Sequence, residues 1–221
     1  MMTLVESELT EEKYPNAVFF NFHGCLIGNT NYAAHLTAAE AAVGPDFKYD
    51  LSRPVGERSK FLEKYQELTL SDENSRVSDV ARKVITGVNE HGYKNVIWTS
   101  EHPKVILTIL ERDSVSVDYI ESVHGYSVLE DGKVVHSKEY SDKLRKKAEL
   151  LNASPFLPRV VVSNKASDID AALKSECQVI DFFFALTTKE TEAELVGTFT
   201  KLNPRFGFAY HESLETLLKL I

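Results

Sequence analysis

Five short apolar runs constrain this chain more than anything else in it, because they do not alternate cleanly between apolar and polar residues. They are 17–22 (AVFFNF), 95–99 (NVIWT), 159–163 (RVVVS), 178–184 (QVIDFFF) and 206–210 (FGFAY). Each is rich in the β-branched or aromatic residues that suit a pleated strand. A strand with one face in water shows a period of two; a strand covered on both faces does not. Between the runs lie segments of helical period. Val77, Val80, Ala81, Val84 and Val88 share a face in 75–90, as do Leu144, Ala148 and Leu151 in 139–151. Leu214, Leu217, Leu218 and Ile221 form a stripe at the end. Strand–helix alternation with doubly covered strands predicts an α/β fold: a mostly parallel, doubly wound, Rossmann-like sheet. There is no internal repeat.

Two stretches interrupt the alternation. Residues 31–87 hold no strand-like run. They hold instead an alanine-rich helix from Tyr32 to Val43 and a second helical run with Phe61, Leu62, Tyr65 and Leu68, separated by Pro45 and Pro54. A segment of that length is no simple crossover, so it predicts a small α-helical insert over one end of the sheet. The division expected is a core of 1–30 and 88–221 with the insert at 31–87. In 126–137 (YSVLEDGKVVHS), Asp131-Gly132 between apolar runs marks a hairpin.

A hydrophobic content of 43% and a charged content of 26% describe a globular chain whose 221 residues bury a sizeable core. The net charge of -8 disfavours a broad nucleic-acid or anionic-membrane surface. Cys25 and Cys177 form no disulfide framework and suit a reducing compartment. The opening MMTLVESELTEEKYP has no apolar core of a secretory signal, and the apolar run from Val179 to Leu186 is broken by Asp181 and too short for a bilayer. The expectation is a cytoplasmic protein without a membrane partner.

In doubly wound sheets ligands bind beyond the carboxyl ends of the strands. Three runs end in polar turns that open helices: Asn21–Cys25, Thr99–His102 before Pro103, and Ser163–Asp168. Pro103 suits a first helical turn, and Ser167 with Asp170 has capping-box spacing. The first turn, within AVFFNFHGCLIGNT, carries an amide and an imidazole where reactive groups are expected, and no carboxylate.

Taken together, the order of these signals resembles the haloacid dehalogenase-like (HAD) superfamily, in particular its phosphoglycolate-phosphatase-like members with a helical cap. The resemblance runs from about Val18 to Phe183 and rests on order and spacing. The first motif of the family, D-x-D-G-T-L after a strand, is met by Asn21-Phe22-His23-Gly24-Cys25-Leu26. The second, a strand ending in Ser or Thr, is met by Thr99-Ser100. The third, a lysine opening a helix, is met by Lys138 ahead of Asp142 and Leu144. The fourth, G-D-x-x-x-D-I-x-A-A, is met by Ser163-Asn164 followed by Asp168-Ile169 and Ala171-Ala172, which keep identity and spacing.

The resemblance implies that Asn21 stands at the position of the phosphorus-attacking carboxylate and His23 at that of the acid/base. It places Asn21, Asn164 and Asp168 at the magnesium positions, and Gly24, Thr99, Ser100 and Lys138 around a phosphate. Of the four carboxylates only Asp168 remains. A neutral amide is no nucleophile. Magnesium prefers anionic oxygens, and imidazole serves it poorly. The chemistry thus predicts a pseudoenzyme with no cofactor, which binds a protein partner and a phosphate or phosphorylated ligand. The alternative is a phosphomonoesterase in which His23 moves protons without a metal, magnesium returning only in that case. A nucleotide-processing role rests on fold analogy alone.

Other groups have plainer readings. Cys25, two residues from His23, is a small buried thiol with no orienting third group. His91, His102, His124, His136 and His211 lack metal-ligand spacing and read as surface or loop residues. Lys143, Arg145, Lys146 and Lys147 read as the solvated face of a helix. Glu6 to Glu12 read as a tail, and Asp168 also suits a first helical turn.

Overall fold

The structure, a computed structural model, describes residues 14–28, 32–140, 143–175, 182–187, 206–219 and 221. Its strands are β1 (Asn16–Phe20), β2 (Lys94–Thr99), β3 (Tyr119–Ser122), β4 (Gly125–Glu130), β5 (Lys133–Glu139), β6 (Leu157–Ser163), β7 (Phe182–Thr187) and β8 (Phe206–Tyr210). They form one sheet of eight strands in the order β5-β4-β3-β2-β1-β6-β7-β8. Every pairing from β3 to β8 across the sheet is parallel, while β3–β4 and β4–β5 are antiparallel. The chain builds outward from β1 through β2 and β3, then returns to β6 on the other side of β1. That reversal puts a topological switch point between the carboxyl ends of β1 and β6.

The missing alternation has its explanation in two apolar layers. Val18, Phe20, Ile97, Ile120, Val160 and Val162 face one cluster; Ala17, Phe19, Val96, Trp98, Tyr119 and Val161 face the other. The first layer is closed by α3 (Asp79–Glu90) and α4 (Pro103–Arg112), through Val84, Val88, Ile106 and Ile109. The second is closed by α5 (Lys147–Ala153) and α6 (Ala166–Lys174), through Leu150, Leu151 and Ala172. Burying a side chain such as Phe19 or Trp98 contributes about 1.5–3 kcal/mol, so each layer is a sizeable part of the driving force.

Helices α1 (Tyr32–Val43) and α2 (Val55–Ser71) pack on one another, and Ala39, Phe61 and Tyr65 join the first apolar layer. Pro54 immediately precedes α2. After α2 the chain is pinned by Asp113, at the end of α4. Its carboxylate accepts the Val77 amide at 2.8 Å and the Arg112 guanidinium at 2.8 and 3.0 Å. Ser78 then caps α3, its hydroxyl accepting the Ala81 amide. Leu214 and Leu217 of the stripe at the end are buried, on a 3-10 helix spanning His211–Lys219.

Two expectations need correction, and a third falls partly outside the described residues. The helix placed over 139–151 begins only at Lys147, because pairing with β4 carries β5 through to Glu139 and Leu144 is left 47% exposed. Strand β3 was not expected, since Glu121 breaks its short apolar signal. The run at 178–184 is represented by β7, which starts at Phe182; residues 176–181 lie outside the described ones. The hairpin turn falls at Asp131-Gly132, both with positive φ, as expected of a two-residue connection.

Glu121 is buried on the second layer, where Tyr140 donates to its Oε1 at 3.0 Å and Tyr119 also bonds it. Burial pushes this carboxyl up to about 7, against the pull of the two hydroxyls. A folded-state value above the unfolded value of 4.5 stabilises the fold at low pH. That contribution is whole below the unfolded value and is lost as pH rises through the folded one, amounting to about 3 kcal/mol. In urea titrations at pH 5 and pH 8, Glu121→Gln will therefore gain on wild type as pH rises; an unchanged difference between the two proteins would count against this burial.

Candidate functional site

The site forms where β1 and β6 end. The Asn21 amide continues the sheet by donating to the Val162 carbonyl at 2.8 Å. The chain then turns tightly: Leu26 and Ile27 both donate to the Phe22 carbonyl, and the Gly24 amide donates to the Ile27 carbonyl at 2.9 Å. Gly24 has φ 76°, a conformation that glycine adopts without the strain a Cβ brings. Phe22, Cys25, Leu26 and Ile27 are fully buried, so the turn is held by the core beneath it.

The Asn21 side chain is engaged at both ends. Nδ2 donates to the His23 carbonyl at 3.0 Å and to Asn164 Oδ1 at 3.1 Å, and Oδ1 accepts from Lys147 Nζ at 3.3 Å. The same ammonium lies 2.8 Å from Asp168 Oδ1. Asp168 Oδ2 accepts from Ser163 Oγ at 2.6 Å. Lys147 also sits 4.2 Å over the Trp98 ring, whose indole nitrogen donates to the Lys147 carbonyl. Burial pulls the Lys147 ammonium below its ordinary value, and Asp168 opposes that pull. The Cys25 thiol is pushed far up by burial, which leaves it an inert packing group.

His23 turns toward the end of β2. Its Nε2 donates to Glu101 Oε2 at 2.8 Å. Tyr65 of α2 donates to that same oxygen at 2.7 Å, and the His102 amide donates to Oε1 at 2.7 Å. The Glu101 amide in turn donates to Thr99 Oγ1. Burial raises the Glu101 carboxyl, but the bond and charge of His23, with the Tyr65 and His102 bonds, hold it below the ordinary range. His102 caps α4 through Nδ1, is 4% exposed, and has its imidazole pushed down to about 4 by burial and by neighbouring His124. It is a loop residue, one of the two places the sequence suggested, and it is buried.

Asn21, Asn164 and Asp168 are thus linked, Asn21 to Asn164 directly and to Asp168 through Lys147. His23 and Gly24 share their turn, but the His23 ring is committed to Glu101. Thr99 is buried beside them on β2 and Ser100 is exposed. Lys138 is a correction. It lies on exposed edge strand β5, opposite Tyr126, where lysines blunt an unpaired edge. The lysine that opens a helix beside Asn21 is Lys147, nominally one of a solvated basic cluster. One signal marks it: Glu149 accepts the Lys146 amide at 3.2 Å, a capping pattern that sets the helix start at 147. Glu101 was also missed, although an acid between a Thr-Ser strand end and Pro103 is a legible sign.

No family model and no curated protein matches the sequence. Solved structures do resemble the fold. A phosphoserine phosphohydrolase-like protein from Francisella tularensis aligns with a TM-score of 0.55 at 13% identity, over 91% of this chain and 99% of that one. A haloacid dehalogenase-like family hydrolase from Streptococcus pneumoniae gives 0.51 at 13%, over 95% and 100%. An L-2-haloacid dehalogenase gives 0.51 at 12%, over 93% and 99%. This chain has the haloacid dehalogenase-like fold. In a HAD-like fold the turns after β1, β2 and β6 converge at one end of the sheet, and here they bring Asn21, Thr99 and Asn164 there. Among the described residues of this HAD-like chain, no three His, Cys, Asp or Glu side chains are grouped to hold a metal, and no helix is long and apolar enough to cross a membrane.

Proposed function

We propose that this chain is a HAD-like pseudoenzyme that acts by recognition, binding a protein partner rather than turning over a phosphoester. The observation that carries the reading is the state of Asn21, whose amide is bonded at both ends within the network of Lys147, Asn164 and Asp168. An amide at the attacking position forms no acyl-phosphate. The donor set does not fit magnesium either. One Asp168 oxygen faces the Lys147 ammonium and the other the Ser163 hydroxyl, and the remaining oxygens are neutral. A phosphorylated ligand is the weaker part of the reading. The Gly24 amide is spent on the Ile27 carbonyl, and Lys138 belongs to β5, which leaves Thr99 and Ser100. The helix pair α1 and α2, which precedes the core helix α3 within the 31–87 stretch, is the surface we assign to the partner.

One observation favours a second reading, hydrolysis through His23. Its imidazole is bonded to a buried carboxylate, as a proton-transfer base is when a neighbour orients it. The two readings separate in a turnover assay with a generic phosphomonoester, with and without magnesium. The recognition reading expects no activity above that of His23→Ala. Metal-independent turnover lost in His23→Ala would replace it with the hydrolase.

A further inference from the structure

The bond between α2 and the strand-end turns has an unusual feature: two donors from different parts of the chain use one oxygen. His23, on the turn after β1, and Tyr65, on α2, both donate to Glu101 Oε2, at 2.8 and 2.7 Å. Glu101 is 3% and Tyr65 3% exposed, so the Tyr65 bond is shielded from solvent, and the His23 side chain is 12% exposed. The other carboxylate oxygen is held by the His102 amide, and the Glu101 carbonyl accepts from Ser122 Oγ at 2.5 Å, which fixes the residue to β3. The carboxylate is therefore an anchored junction, not a mobile side chain.

We infer that Glu101 couples the seating of α2 to the state of the His23 turn, so that a change at either donor is felt at the other. A buried carboxylate stays ionised only while donors and a positive partner offset its lost hydration. Take away the imidazole and the carboxylate becomes a poorer acceptor, which weakens its charge-assisted bond from Tyr65 and loosens α2. Take away the Tyr65 hydroxyl and, by the same reciprocity, the carboxylate is held less firmly for His23, whose bond weakens and shifts. The turn that carries the candidate site thereby reports to the helix pair that we assign to the partner. The inference stands whether or not the chain hydrolyses anything.

Amide exchange over Val55–Ser71, read by mass spectrometry, tests the coupling, because local opening sets exchange rates. Tyr65→Phe is expected to speed exchange in α2 by about tenfold, as the loss of a bond to a charged group does. His23→Ala is expected to speed it several-fold, and the double variant to fall short of the product of the two. Gln66→Ala is the control, since it removes a different side-chain bond from α2, to Thr108 Oγ1 at 2.6 Å. Tyr65→Phe should move the hydrogen-bonded imidazole proton of His23 in NMR spectra, and Gln66→Ala should leave it in place. The inference is overturned if His23→Ala leaves α2 exchange at the wild-type rate, if the double variant equals the product, or if Gln66→Ala moves the imidazole proton as far.

Discussion

Asp168→Asn will cost this protein roughly 3–5 kcal/mol of stability, because it leaves the Lys147 ammonium buried without its counter-charge. For a chain of this size that is a fall of roughly 10 °C in Tm. The pair is buried on both sides, with 11% of the lysine and 4% of the aspartate side chain exposed, at 2.8 Å. Salt screens such a pair weakly, so the loss will persist at high ionic strength. The exposed pair Lys174–Asp170 on α6 is the contrast: Asp170→Ala should change stability by about 0.5 kcal/mol or less. The double variant Lys147→Met with Asp168→Leu removes both charges and keeps the volume, and should recover most of the loss. If Asp168→Asn is as mild as Asp170→Ala in thermal melts, the lysine is not held as described, and the network around Asn21 falls with it.

Restoring the carboxylates will turn a metal-indifferent protein into one that magnesium stabilises. Asn21→Asp with Asn164→Asp puts three carboxylates around one ammonium. Without metal their mutual repulsion should lower the Tm. With magnesium at a hundred times its dissociation constant, binding to the native state returns about 2.7 kcal/mol, or roughly 5–10 °C. Adding His23→Asp supplies the missing acid/base group and is expected to bring weak phosphomonoester turnover. It also sets a carboxylate beside Glu101 in place of a donor, so the triple variant should be less stable than the double. For that reason the double variant is the cleaner probe of the metal and the triple of catalysis. A folded double variant whose melting ignores magnesium would mean that Asn21 and Asn164 do not stand at metal positions.

Much of the fold was legible because it is written in the burial pattern. Runs such as AVFFNF and RVVVS lack alternation because Phe19 and Phe20, or Val161 and Val162, meet different apolar layers. The helix from Tyr32 to Val43 and the Asp131-Gly132 turn carry strong local signals and stand where they were expected. Strand β3 was hidden because Glu121 looks like a surface residue until Tyr119 and Tyr140 are seen to surround it. The site was half legible. Asn21, Asn164 and Asp168 follow strands and could be placed by spacing. Lys147 and Glu101 owe their roles to contacts across the sequence, with Asp168 and with His23 and Tyr65. Periodicity put Lys147 on a solvated face because it began the helix eight residues too early; nothing local says that a lysine will stack on Trp98.

The account rests on a strand-end site whose oxygens are neutral amides or carboxylates already engaged, Asp168 by Lys147 and Ser163, Glu101 by His23 and Tyr65. Calorimetric titration of the wild-type protein with magnesium tests it most directly. The account predicts no binding through the millimolar range, with Asn21→Asp/Asn164→Asp giving saturable heat under the same conditions. Stoichiometric, saturable magnesium binding by the wild-type chain, lost in Asp168→Asn, would contradict it.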